Sequence, residues 1–318
     1  MNAIETRDLT RYYGTLRAVN RLTLSVDREV FALLGPNGSG KTTTVLMLTT
    51  LLRPTEGSAT VSGHDIVRDG EKVRRSLSYV PQDMAVDIKL TGRENVLLYA
   101  RLYGIKNPKD RIDELLAMMQ LTDRADDLVK TYSGGMRRRL ELAQALVHEP
   151  EVLFLDEPTL GLDVAARSTI WEHITALKKG GMTIFVTTHY MDEADRFCDR
   201  VGIISKGTLL ALDSPQTLKS RLGNDVITAR IDGEFKDPDL EGVKLFSFSN
   251  NEASFLTEKG REALPHLADA FTKTGVIVRS LALREPTLDD VFLHTVGKVE
   301  EPMGFDQTKF RTMLRRRK

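Results

Sequence analysis

Apolar positions in the first two-thirds of the chain alternate between short unbroken runs and helical stripes. The runs "EVFALLG" (29–35), "EVLFLD" (151–156) and "MTIFVTTH" (182–189) are bounded and rich in Val, Ile, Leu and Phe, as parallel strands covered on both faces require. Between them, Ile112, Leu115, Leu116 and Met119, and later Leu140, Ala143, Leu146 and Val147, recur at the spacing of one helix face. The interleaving predicts an α/β core with these two stripes buried in it. After about Gly223 the rhythm changes: "VITARI", "VKLFSFS" and "ASFLTE" predict strands, "REALPHLADAFTKTG" a helix, "VIVRSLAL" a strand and "PTLDDVFLHTV" a helix. In the last of these, Leu288, Val291, Phe292 and Thr295 share a face, and Thr287 and Asp290 have capping-box spacing with Asp in place of the usual Glu or Gln. The pattern gives three segments: an α/β domain over 1–222, a small α+β domain over 223–297, and a basic flexible tail over 298–318.

Composition narrows the partners. A 318-residue chain with 41% hydrophobic residues holds a sizeable core and room for a second domain. Its 45 basic and 45 acidic residues cancel, so no global field recruits nucleic acid or an anionic membrane, and no direct nucleic-acid binding is expected. The single Cys198 excludes an internal disulfide framework and is expected to be a small buried hydrophobe in a reducing cytosol. The start "MNAIETRDLT" does not read as a leader, and about 18 apolar residues nowhere run together, so a membrane-spanning chain is not expected.

The chemistry concentrates at strand ends. "GPNGSGKTT" (35–43) follows an apolar strand and opens a helical pattern, the setting that a phosphate-binding loop requires. Gly35, Pro36, Asn37, Gly38, Ser39, Gly40, Lys41, Thr42 and Thr43 are therefore assigned to a nucleotide site. The glycines let successive N–H groups turn toward phosphate oxygens, Lys41 reaches the β- and γ-phosphates, and the Thr42 hydroxyl ligates Mg²⁺. Asp156 and Glu157 end the run "EVLFLDEP", where nucleotide sites of open α/β sheets lie. Asp156 is expected to bind the metal and Glu157 to orient or deprotonate the attacking water.

With "GPNGSGKTT", "YSGGM", "VLFLDEPTLGLD" and "THYMDEA" in this order, residues 2–222 resemble the ATP-binding subunits of ABC transporters. The resemblance implies a phosphate-loop ATPase domain with a helical subdomain, and ATP and Mg²⁺ as ligands. It further implies that Ser133, Gly134 and Gly135 form a signature loop that closes on the γ-phosphate of a second subunit. Backbone N–H groups at a helix N-terminus make such an anion site physically reasonable. Tyr132 stands where many members have Leu. By the same resemblance, Tyr13 in "RYYG" stacks on adenine in preference to the adjacent Tyr12. Gln82 in "YVPQD" joins the metal and water site to the membrane-facing segment, Asp163 in "LGLD" crosses a dimer interface, and His189 senses the γ-phosphate.

Three consecutive arginines, Arg137 to Arg139, follow the Ser-Gly-Gly. Cations at a helix start oppose the macrodipole, and the reading from charge alone pairs them with Glu141, Asp126 and Asp127. Residues 223–297, together with "TYSGGMRRRLELAQAL" and "TTHYMDEAD", resemble drug-resistance-type export ATPases. That resemblance implies two copies of this chain working on the cytoplasmic face of a membrane with a separate permease. The alternatives are a soluble ATPase of the same family acting on ribosomes or nucleic acid, and an inactive interaction module. The former would carry a second phosphate loop or a coiled-coil insertion, and neither is present in the sequence, while Lys41, Asp156, Glu157 and His189 oppose the latter.

Overall fold

The computed structural model describes residues 2–223, 225–233 and 235–300. The chain parts into two compact units, Met1–Leu212 and Asp213–Lys318. In the first unit, β1 (Ile4–Tyr13), β2 (Leu16–Val26) and β3 (Val30–Leu34) are followed by α1 (Lys41–Leu48), β4 (Glu56–Val61) and β5 (His64–Asp65). Next come α2 (Gly70–Ser76), β6 (Leu77–Val80), α3 (Gly92–Leu102), α4 (Lys109–Met118) and α5 (Gly134–Ala145). The unit closes with β7 (Val152–Asp156), α6 (Val164–Lys179), β8 (Thr183–Thr188), α7 (Met191–Phe197), β9 (Arg200–Ser205) and β10 (Thr208–Asp213).

Two sheets share this unit, one ordered β2-β1-β4-β5 and the other β10-β9-β3-β8-β7-β6. Within the larger sheet, β9, β3, β8, β7 and β6 pair in parallel. Every residue of β3, β7 and β8 is buried, which is why each reads as an unbroken apolar run. Phe31, Phe154 and Phe185 lock neighbouring strands together, with ring centroids 5.1 and 5.4 Å apart, and each contributes about 1.5–3 kcal/mol by burial. The two predicted helical stripes are buried on α4 and α5 and just past their ends. Cys198 is buried too, and burial pushes its thiol up.

Helix starts follow local chemistry. At α3, Thr91 accepts from Glu94 N–H and Glu94 accepts from Thr91 N–H, a complete capping box. Ser133 caps α5 by accepting from Met136 N–H at 3.2 Å, and Asp163 caps α6 by accepting from Ala166 N–H at 2.8 Å. Tyr132 is buried and donates from its hydroxyl to the Arg124 carbonyl at 2.5 Å, so the tyrosine anchors the turn in front of α5.

The second unit contains α8 (Pro215–Ser220), β11 (Asp225–Asp232), β12 (Val243–Ser249), β13 (Glu252–Thr257), α9 (Gly260–Lys273), β14 (Ile277–Arg284) and α10 (Leu288–Glu300). Its antiparallel sheet is ordered β12-β13-β11-β14. Helix α9 covers it, with Phe271 set edge-on to Phe255 at 5.9 Å. The compositional change near Gly223 falls inside this unit, because α8 packs against α10. Thr287 and Asp290 do form a reciprocal cap. Leu288, Val291 and Phe292 are buried as predicted, whereas Thr295 is half-buried, its hydroxyl donating to the Val291 carbonyl at 2.7 Å while Val296 takes the buried position. Helix α10 extends to Glu300, past the expected start of the tail at 298; residues 301–318 of that tail lie outside the described residues. Among the described residues no helix is long and apolar enough to cross a membrane.

Candidate active site

The ends of β3, β6, β7 and β8 converge on one side of the larger sheet. A cleft of about 450 Å³ opens there, lined by Tyr13, Pro36, Asn37, Gly38, Gly40, Lys41, Thr42, Thr43, Gln82 and Glu157, with Leu16, Arg17, Ala18 and Lys206. The loop between β3 and α1 is shaped by close approach. Gly40 has φ of 106°, and a Cβ there would stand 2.4 Å from the Ala18 carbonyl, so only glycine serves. The turn before β10 supports the loop from behind, Gly207 donating its N–H to the Ser39 carbonyl at 2.9 Å.

Lys41 is buried beneath this loop. Its Nζ donates to the Gly35 carbonyl at 2.7 Å and lies 3.3 Å from Glu157 Oε1. The other Glu157 oxygen meets His189 Nδ1 at 2.7 Å. Burial pushes the Glu157 carboxyl up, but the His189 hydrogen bond and the Lys41 charge outweigh it and hold the group below the usual carboxylate range. Glu157 is therefore anionic at neutral pH. It also adopts φ of 49°, a left-handed conformation that a non-glycine residue keeps only when its surroundings impose it. Its N–H donates to the Thr187 carbonyl at 3.0 Å and to Thr187 Oγ1 at 3.1 Å. Thr187 in turn donates its hydroxyl to Asp156 Oδ1.

Several polar atoms around the cleft are buried with no hydrogen-bond partner among the described residues: Asp156 Oδ2, Ser39 Oγ and His189 Nε2. Burial, followed by the nearby Asp156 charge, pushes the Tyr79 phenol up. Of the two aromatic candidates, Tyr13 lines the cleft and is 46% exposed, with Arg11 over its ring at 5.0 Å. Tyr12 does not line the cleft and carries Arg17 over its ring.

Gly35, Ser39, Asp156 and His189 stand behind the lining residues, whereas Ser133, Gly134, Gly135 and Asp163 are not brought to this cleft. Ser133 and Gly134 are exposed at the start of α5, and Asp163 is exposed at the start of α6. The arginine pairing expected from charge alone holds for Arg138 with Glu141 only. Arg137 donates to the Lys130 carbonyl and Arg139 to the Met119 and Gln120 carbonyls. Asp126 pairs with Arg93, and Asp127 with Arg124, three residues before it. Arg17 and Lys206 are lining cations that no motif announced.

Family models match two stretches of the chain: "ABC transporter" over residues 19–160 and "ATP-binding protein DrrA1-3-like, C-terminal domain" over residues 214–296. The chain is 41% identical to the daunorubicin resistance ATP-binding protein DrrA3 of Streptomyces coeruleorubidus over 93% of this chain and 96% of that one. It is 33% identical to the linearmycin resistance ATP-binding protein LnrL of Bacillus subtilis, covering 93% of this chain and 98% of that one. Among solved structures, cbiO1 of Clostridium perfringens, described as part of the ABC transporter complex cbiONQ, matches with a TM-score of 0.63 and 29% identity. That match covers 69% of this chain and 91% of the other. Strand order, strand-end chemistry and these likenesses lead to one assignment: the chain belongs to the ATP-binding subunits of ABC transporters, ATPases that work with a membrane permease.

Proposed function

We propose that the cleft binds ATP with Mg²⁺ and hydrolyses it after a second copy of the chain has closed over it. The observation that carries this reading is the set of buried groups at the strand ends. Lys41 and His189 each meet one oxygen of Glu157, and Asp156 Oδ2, Ser39 Oγ and His189 Nε2 stand buried without hydrogen-bond partners among the described residues. An unmet buried polar group costs about 1–3 kcal/mol, and a metal triphosphate offers the missing cation, acceptors and donors together. Thr42, Gln82 and Asp156 would hold the Mg²⁺, whose positive charge, once bound, offsets that of the phosphates.

In this reading Lys41 exchanges its Gly35 and Glu157 contacts for phosphate oxygens. Glu157, anionic and aimed by His189, orients the attacking water and accepts its proton. Tyr13 offers adenine the ring face away from Arg11. The N–H groups of Gly134 and Gly135, in the first turn of α5 where no intrahelical acceptor is available, complete the γ-phosphate site of the other copy, with Asp163 at the shared boundary. Glu157 and His189 are the catalytic groups, assisted by Lys41 and Gln82.

Exposed apolar side chains follow Gln82 and continue along α3 to its C-cap, namely Met84, Ile88, Leu98, Leu102 and Tyr103. An apolar surface next to the metal-linked glutamine supports docking of the permease there, which would hold the protein on the inner face of the membrane. The drug-resistance relatives support export of a lipophilic, drug-like compound as the work performed.

Glu157→Gln tests the reading. ATP binding is expected to persist while hydrolysis falls by about two to three orders of magnitude, and saturating ATP with Mg²⁺ is expected to hold a dimer visible by light scattering. Intact binding with only monomer present would overturn the closed-pair reading.

A further inference from the structure

The three arginines at the start of α5 have different fates. Arg137 reaches the Lys130 carbonyl at 3.1 Å, and Arg139 reaches the Met119 and Gln120 carbonyls at 2.9 and 3.2 Å. Arg138 instead turns inward and is only 4% exposed. Its Nε donates to the Pro158 carbonyl at 3.0 Å and its Nη2 to the Asp156 carbonyl at 3.1 Å. Its Nη1 donates to the Pro81 carbonyl at 2.7 Å and to Glu141 Oε2 at 2.9 Å. The remaining Glu141 oxygen accepts from Ala85 N–H at 2.6 Å.

These acceptors are not scattered. Asp156 and Pro158 flank Glu157, so one guanidinium grips the chain on both sides of the residue held at φ of 49°. Pro81 immediately precedes Gln82, and Ala85 N–H ties down the segment that follows it. Only a planar fork of several fixed donors can reach all these carbonyls at once; an ammonium on a flexible stem cannot.

We propose that Arg138 is a positioning residue for hydrolysis. It fixes Gln82 and Glu157 relative to each other and ties both to α5, so that any displacement of the Ser-Gly-Gly helix end is felt where the attacking water is held. The inference rests on the reading of Gln82 and Glu157 given under Proposed function, and it adds a residue which itself touches neither nucleotide nor water.

Arg138→Lys keeps the charge and removes the fork, and Arg139→Lys is the matched control on the same helix. In full-length protein, Arg138→Lys is expected to lower kcat for ATP by about ten- to a hundredfold, with KM and ATP affinity unchanged. Arg139→Lys is expected to lower the thermal midpoint with kcat unchanged. Equal kcat in the two variants would mean that Arg138 only stabilises the fold, and the proposal fails. Should Arg138→Lys not fold, Glu141→Gln keeps an acceptor for Ala85 N–H but removes the charge that steers Nη1. It is expected to lower kcat severalfold at unchanged KM, and normal kcat there also overturns the proposal. Glu157→Gln keeps the two readings separate: full turnover in it defeats the assignment of the cleft, whereas a dead Glu157→Gln beside a normal Arg138→Lys defeats the positioning role alone.

Discussion

Asp156 in the first unit and Asp290 in the second are buried to nearly the same degree, 1% and 3% exposed, yet they are treated oppositely. Asp290 accepts from Arg284 through both oxygens, at 2.5 and 2.9 Å, and from Thr287 N–H and hydroxyl at 2.8 and 2.9 Å. Burial pushes its carboxyl up, but these partners outweigh burial and hold it below the usual range. Asp156 accepts the Thr187 hydroxyl through Oδ1, and among the described residues no well-formed hydrogen bond reaches its Oδ2. A carboxylate whose oxygens are all engaged serves the fold, while one left half-engaged in a polar cleft is held ready for something the chain does not itself contain.

The largest effect expected from this contrast comes from exchanging each aspartate for asparagine. Asp156→Asn is expected to reduce ATP turnover by about two to three orders of magnitude with little change in thermal midpoint. Asp290→Asn is expected to lower unfolding free energy by about 1–3 kcal/mol, measured by chemical denaturation, with turnover per folded molecule unchanged. Similar stability losses in both would erase the distinction. An intermediate effect is expected at the start of α5. A Cβ on Gly135 would stand 2.9 Å from Ala166 Cβ, whereas one on Gly134 would make only an ordinary contact with Leu162 at 3.5 Å. Gly135 thus answers to packing against α6 as well as to any phosphate, and Gly134→Asp is the cleaner probe. It is expected to leave ATP affinity and thermal midpoint intact while turnover falls by about a hundredfold. Unimpaired turnover would remove the Ser-Gly-Gly from the reaction.

The smallest effect asks whether half-buried polar groups of the first unit that stand away from the cleft serve the fold as Asp290 does. His148 stacks on Tyr103 with centroids 3.8 Å apart and meets the Leu77 carbonyl at 3.0 Å through Nε2. Burial pushes its imidazole below the ordinary value of 6.5. Below that pH the unfolded chain takes up a proton that the folded chain refuses, so the neutral imidazole's contribution is complete above about 6.5 and is lost as pH falls through the depressed value. The thermal midpoint is expected to drop as pH falls below 6.5, and His148→Gln to flatten that drop. An unaltered slope in the variant would assign the acid sensitivity elsewhere.

What the sequence disclosed depended on how far apart the interacting groups are along the chain. The strands β3, β7 and β8 were legible because burial on both faces leaves an unbroken apolar run. The phosphate loop was legible because its donors are neighbours in sequence, and the Thr287–Asp290 cap because it spans three residues. Arg17, Ala18 and Lys206 were missed as lining residues because the β1–β2 hairpin and the turn before β10 reach the loop only through tertiary contacts. Arg137, Arg138 and Arg139 look interchangeable as letters. A helix rotates about 100° per residue, and that rotation alone sends the middle one to carbonyls that lie 57, 18 and 20 residues away.

The left-handed backbone at Glu157 carries an evolutionary consequence. A glutamate there gives up about 1–2 kcal/mol that glycine would not, so with the role proposed for Glu157, heat resistance and turnover are opposed at this single codon. Lineages selected only for durability would drift toward glycine or asparagine at 157 and turn into well-folded binders that never fire. On that role, a glutamate kept at this torsion angle trades durability for work performed.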